Sequence, residues 1–129
     1  MNRVTSAFQK AQREGRTALM PYLTAGDPPV PELAQMLTAL DGAGADVIEI
    51  GIPFSDPIAD GPVIAAAMHR ALERGHTPED VFDQIHLSRD RVEAALVAMV
   101  SISIVTHLGI ERFIDRARAC GLSNPAPDE

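Results

Sequence analysis

Residues 46–62 read Asp46-Val47-Ile48-Glu49-Ile50-Gly51-Ile52-Pro53-Phe54-Ser55-Asp56-Pro57-Ile58-Ala59-Asp60-Gly61-Pro62. The first seven are rich in β-branched residues, and a short apolar run closed by Gly and Pro predicts a buried strand. The three prolines and the glycine that follow restrict the backbone of a loop before it folds. Beyond Pro62, Ile64, Ala67, Met68 and Ala71 recur at helical spacing and stop at Gly75, so the stretch opens a strand–loop–helix unit.

The same grammar extends in both directions. Upstream, Leu33, Met36, Leu37 and Leu40 mark a helix punctuated by Gly42 and Gly44, and residues 18–24 form an apolar run that closes on Gly26-Asp27-Pro28-Pro29. A strand is expected over 18–24, although Pro21 weighs against an interior position. Val4, Ala7, Phe8 and Ala11 predict a short opening helix that ends near Gly15. Downstream, Thr77-Pro78 with Asp80 forms a capping-box-like start ahead of Val81, Phe82 and Ile85. Residues 94–100 predict a third strand, and Ile110, Phe113, Ile114 and Ala117 a helix that ends at Gly121. Strands that alternate with helices, each strand apolar on both faces, imply parallel pairing by right-handed crossovers, in a doubly wound sheet or a barrel.

Composition narrows the function classes. The chain has 129 residues, 46% hydrophobic and 22% charged, which is enough apolar surface for one folded domain. Its 18 acidic and 11 basic residues give a net charge of -7, which repels a nucleic-acid backbone. The longest apolar stretch, 94–105, is interrupted by serines and falls short of the roughly 20 residues that span a bilayer, so it reads as a buried strand. One cysteine, Cys120, forms no internal disulfide, and the N-terminus has no secretory pattern; both fit a soluble cytoplasmic protein. Cys120 reads as a small buried filler, and His69, His76, His86 and His107 have no ligand-like spacing, so no metal is expected.

The acids in the central stretch stand out. Strand alternation sets Val47, Glu49 and Gly51 on one face and Ile48, Ile50 and Ile52 on the other. Glu49 is either an edge or arginine-paired carboxylate, or a reactive group at the carboxyl end of a strand, where α/β folds place their chemistry. Asp60 has the composition of an N-cap for the helix at Pro62. Two carboxylates near one strand end can also divide acid and base work.

Positions 49–62 resemble the signature of the tryptophan synthase alpha subunit family. Residues 20–28, Met-Pro-Tyr-Leu-Thr-Ala-Gly-Asp-Pro, are similar to that family's first strand and turn, and Ala43-Gly44-Ala45-Asp46 to the approach to its second strand. The Gly75-His76-Thr77-Pro78 junction also fits, and a looser likeness runs to Gly121. A phosphate-binding glycine loop, which a flavodoxin-like alternative would favour, is missing from the sequence.

The resemblance implies parallel (β/α) units of a TIM barrel, truncated to roughly half a barrel with three strands and flanking helices, over residues 1–122; the composition of residues 123–129, Ser-Asn-Pro-Ala-Pro-Asp-Glu, predicts a disordered tail. The implied reaction is the retro-aldol cleavage of indole-3-glycerol phosphate to indole and glyceraldehyde 3-phosphate. By the family pattern Glu49 is the general acid and base, Asp60 stabilises the cationic indole nitrogen, and Tyr22 packs on the indole ring; the competing reading of Tyr22 is a core tyrosine. Asp56 falls on the loop that meets the beta subunit, with a plain solvated acid as its alternative. No bound cofactor is expected, since pyridoxal phosphate belongs to the beta subunit of this family. The family's phosphate grip lies in its second half, beyond the likeness seen here, and residues 100–104, Val-Ser-Ile-Ser-Ile, replace its usual tyrosine and asparagine. The alternative to the lyase is a catalytically inactive interaction module, or a half-barrel that self-associates through its open sheet edges.

Overall fold

The computed structural model describes residues 2–27, 33–56 and 60–122. Its elements are α1 (Arg3–Arg13), β1 (Tyr22–Thr24), α2 (Leu33–Gly42), β2 (Val47–Gly51), α3 (Pro62–Glu73), α4 (Pro78–Ser88), β3 (Ala95–Met99), α5 (Ile102–Leu108) and α6 (Ile110–Cys120), with a 3-10 turn at Arg89–Arg91 before β3. The strands form one parallel sheet in the order β1-β2-β3. This is the three-stranded portion of a (β/α) barrel that the sequence predicts. The expected tail at 123–129 lies outside the described residues.

Period-2 alternation divides the sheet. Leu23, Ile48, Ile50 and Leu96 point to the helix layer, where they join Leu33, Leu37, Val81, Phe82 and Ile85 in one buried cluster. Phe82 meets Phe113 edge to face at 5.5 Å, and the Arg116 guanidinium covers the Phe82 ring at 5.6 Å. The other face carries Tyr22, Thr24, Val47, Glu49, Gly51, Val97 and Met99 in register. It is less covered: Tyr22, Glu49 and Val97 are half-buried and Met99 is exposed. The expectation of strands sealed on both faces therefore fails at Tyr22, Glu49, Val97 and Met99, although Val47, Thr24 and Gly51 on the same face are buried.

Three further expectations need correction. The first strand is short, because Pro21 has no N–H; its carbonyl still accepts from Glu49 N at 2.9 Å, and that of Leu19 from Asp46 N at 2.9 Å, so the pairing begins before the strand does. The apolar run 94–105 is not one strand. It breaks after Met99, and Ser101 starts α5 by accepting from Ser103 N at 3.2 Å. Asp60 is not the cap of α3: Gly61 holds that position, without a side-chain cap bond, and Pro62 begins the first turn. The capping box of α4 forms as expected, with Thr77 and Asp80 each bonding the other's backbone. On α1, Ala11 is buried whereas Phe8 lies 46% exposed.

The amino ends of the strands are tied down by charge. Asp46 is buried and receives both Nη1 and Nη2 of Arg16 at 2.8 Å, plus Leu19 N at 2.8 Å. These donors hold its carboxyl well below the ordinary carboxylate value, at about 2, with Arg16 the larger cause. Asp41 accepts from Glu93 N and Ala94 N and so sets the start of β3.

Candidate active site

The carboxyl ends of the strands carry the residues singled out in the sequence. Glu49 sits on the central strand, directly between Tyr22 of β1 and Val97 of β3 in the register. That position removes the edge-strand reading. Among the described residues no cation pairs with Glu49, so the arginine-paired reading also lacks its partner. A half-buried carboxylate on a central strand, without a cation partner among the described residues, is available to a bound molecule.

Tyr22 lies beside it. Its hydroxyl shares a hydrogen bond of 2.9 Å with Thr24 Oγ1, two residues along the same face. Its ring crosses Gly51: a Cβ built on Gly51 would stand 2.1 Å from the Tyr22 hydroxyl oxygen and 2.8 Å from Cζ. Only a residue without a side chain lets the ring lie there. Burial pushes the Tyr22 phenol up from its ordinary value; the bond to Thr24 opposes this, and the negative charges of Asp60 and Glu49 add to it. The charges of both carboxylates bear on one phenol, and the strand register sets Glu49 directly opposite Tyr22.

Asp60 is half-buried just ahead of α3. Asp56 is exposed on the loop after β2; residues 57–59, between it and Asp60, lie outside the described residues. Thr24 and Gly51 were not singled out in the sequence as site residues. Their signal was present in the period-2 spacing, since Tyr22 and Thr24 share one face, as do Glu49 and Gly51.

Other features are structural. Cys120 is buried, its Sγ donates to the Ala117 carbonyl, and burial raises its thiol above the ordinary value, which suits a packed filler. A cleft of about 270 Å³ lined by Arg3, Ser6, Lys10, Asp46 and Glu93 lies at the opposite, amino end of the strands. Among the described residues no group of three His, Cys, Asp or Glu side chains could hold a metal, and no helix is long and apolar enough to cross a membrane.

Comparison with known proteins adds to this geometry. The family model described as tryptophan synthase alpha chain matches residues 8–124. The curated tryptophan synthase alpha chain of Microcystis aeruginosa is 44% identical over 123 residues, covering 95% of this chain and 47% of its own length. That of Alkalilimnicola ehrlichii is 46% identical, with 95% and 45% covered. The crystal structure of the alpha subunit from Legionella pneumophila superposes with a TM-score of 0.89 at 38% identity, over 95% of this chain and 47% of that one. A structure of tryptophan synthase from M. tuberculosis in an aminoacrylate-bound form gives 0.86 at 32%. The chain spans about half the length of the curated relatives it matches.

Proposed function

This chain belongs to the tryptophan synthase alpha chain family, and from that membership we propose that it serves the lyase reaction that cleaves indole-3-glycerol phosphate to indole and glyceraldehyde 3-phosphate. The observation that carries this reading is the placement of Glu49: central strand, carboxyl end, half-buried, with no cation paired to it among the described residues, and in register with Tyr22.

The chemistry asks for two proton movements and one charge to stabilise. C3 of the indole gains a proton, which places positive charge on the ring nitrogen, and the adjacent glycerol hydroxyl loses one. The bond between C3 and the glycerol carbon then breaks, its electron pair returns to the ring and the hydroxyl carbon becomes the aldehyde. Glu49 exchanges the protons at C3 and at the hydroxyl, since one positioned carboxyl can give and take in turn. Asp60 accepts the indole N–H bond and opposes the positive charge of the indolenine. Tyr22 offers its ring face to the indole, held by Thr24 and by the space over Gly51.

Asp56, exposed on the loop after β2, is proposed to face the beta subunit, and the pyridoxal phosphate of the overall enzyme is assigned to that partner rather than to this chain. The substrate phosphate finds no evident cradle among the described residues, so remote binding energy comes from elsewhere in the assembled site. Self-association through β3 is the second reading, favoured by Met99, which is exposed at the end of that strand.

Indole release from indole-3-glycerol phosphate, measured with and without a beta subunit and beside Glu49→Gln, tests the proposal. Turnover that Glu49→Gln reduces by about 10²–10⁴-fold supports it. Turnover that survives the substitution overturns the assignment of Glu49, and no turnover under either condition favours the interaction module.

A further inference from the structure

The hold on α3 is uneven. Its buried residues, Met68 and Ala71, both lie in its second half, whereas Gly61, Pro62 and Val63 at its start are exposed, Val63 by 79%. Asp60 therefore stands at the less buried end of a helix that is held most firmly at the other.

The grip has a charged component that the reaction does not use. Asp27, in the turn after β1, accepts Arg70 Nε at 2.8 Å and Arg70 Nη2 at 2.9 Å, and lies 3.3 Å from Arg74 Nη1. Arg74 Nη1 also donates to the Gly26 carbonyl at 2.8 Å. The Asp27 side chain is only 12% exposed, and its carboxyl is held below the ordinary value, first by Arg70 and then by Arg74, against the effect of burial. Gly26, at φ +89°, brings the turn so close that a Cβ there would stand 2.5 Å from the His76 ring and 3.1 Å from the Ala71 Cβ. The bidentate geometry fixes direction as well as distance.

We infer that Asp27, Arg70 and Arg74 form a positioning clamp that ties the β1 turn to the far end of α3 and thereby sets where Asp60 stands ahead of that helix. A helix rises about 1.5 Å per residue, so Pro62 lies about 12 Å from Arg70 and a tilt of about 5° moves the free end by about 1 Å. Displacement on that scale at a reacting group is large enough to lower a rate by about 10²-fold. The role given to Asp60 rests on the proposed function, but the clamp itself is tested without turnover.

Tyr22 is the only tyrosine and there is no tryptophan, so the phenol absorbance of the whole chain reports on one residue. Asp60 and Glu49 are among the charges that raise the Tyr22 phenol. Spectroscopic titration of Tyr22 in the parent, Asp60→Asn, Arg70→Gln and the double variant forms a closed cycle. Asp60→Asn lowers the midpoint in the parent, and with Arg70→Gln the same step shrinks to roughly half or less as Asp60 drifts. Arg70→Lys, which keeps the charge and one donor, restores part of the step. Asp27→Asn repeats the cycle from the other partner, and Tyr22 emission at neutral pH, which nearby carboxylates quench, replaces the titration for any variant that alkali unfolds. An Asp60 step of equal size with and without Arg70 overturns the clamp, as does the lack of any Asp60 step in the parent. Indole release that fails while the cycle behaves as expected sinks the lyase reading and leaves the clamp standing.

Discussion

Two faces of one three-stranded sheet do different work. The helix-covered face presents Leu23, Ile48, Ile50 and Leu96 to a closed apolar cluster, and the other presents Tyr22, Thr24, Glu49, Gly51 and Val97 to a more open space. Neighbours in sequence fall on opposite sides, so Glu49 and Ile50 share a backbone and little else. The contrast teaches that strand alternation lets a carboxylate be placed without its desolvation burdening the core, because the same strand buries isoleucines on its reverse.

The sharpest way to break the contrast is to substitute both sides at adjacent positions. Ile50→Ala, which empties a fully buried site, is expected to cost about 2–5 kcal/mol in urea unfolding. Glu49→Gln in the same strand is expected to stay within about 0.5 kcal/mol of the parent. Equal losses would mean that Glu49 is a core group after all.

Gly51→Val attacks the open face by crowding. A Cβ there collides with the Tyr22 ring, so the variant should lose about 1–3 kcal/mol and shift the Tyr22 emission as the ring is expelled. An unchanged tyrosine signal would refute the close approach.

Acid sharpens the comparison at the amino ends of the strands. Asp46 has a folded-state value of about 2 against an ordinary 3.8, so its contribution is complete above about pH 4 and is lost as pH falls towards 2. Asp46→Asn should remove about 1.5–3 kcal/mol at neutral pH and flatten the loss of stability between pH 4 and 2. A variant that keeps the parent's acid profile would assign that loss to other groups. The smallest effect is expected from Thr24→Val, which takes the hydroxyl partner from Tyr22 and should cost about 1 kcal/mol by thermal unfolding, with a more mobile ring.

How much of this could be read from sequence followed the range of each interaction. Glu49 and the strand around it were legible because alternation and helix periodicity are local, and the α4 capping box was legible because Thr77 and Asp80 are three residues apart. The break at Ser101 was hidden inside a continuous apolar run, since Ile and Val on a short helix resemble the strand they follow. Asp60 matched the composition of a cap, yet Gly61 took that position, and only the backbone could decide between the two. Pairs such as Arg16 with Asp46 and Arg70 with Asp27, 30 and 43 residues apart, left no periodic trace. The roles of Tyr22, Asp56 and Asp60 came from family resemblance rather than from any spacing.

The strand order also bears on how the fold is made. Among the described residues each strand pairs with the next in sequence, β1 with β2 and β2 with β3, and no other strand is threaded between them. A chain leaving the ribosome can therefore zip its sheet from the amino end as it emerges, completing the Tyr22–Glu49 neighbourhood once residue 51 is free and before β3 has been synthesised.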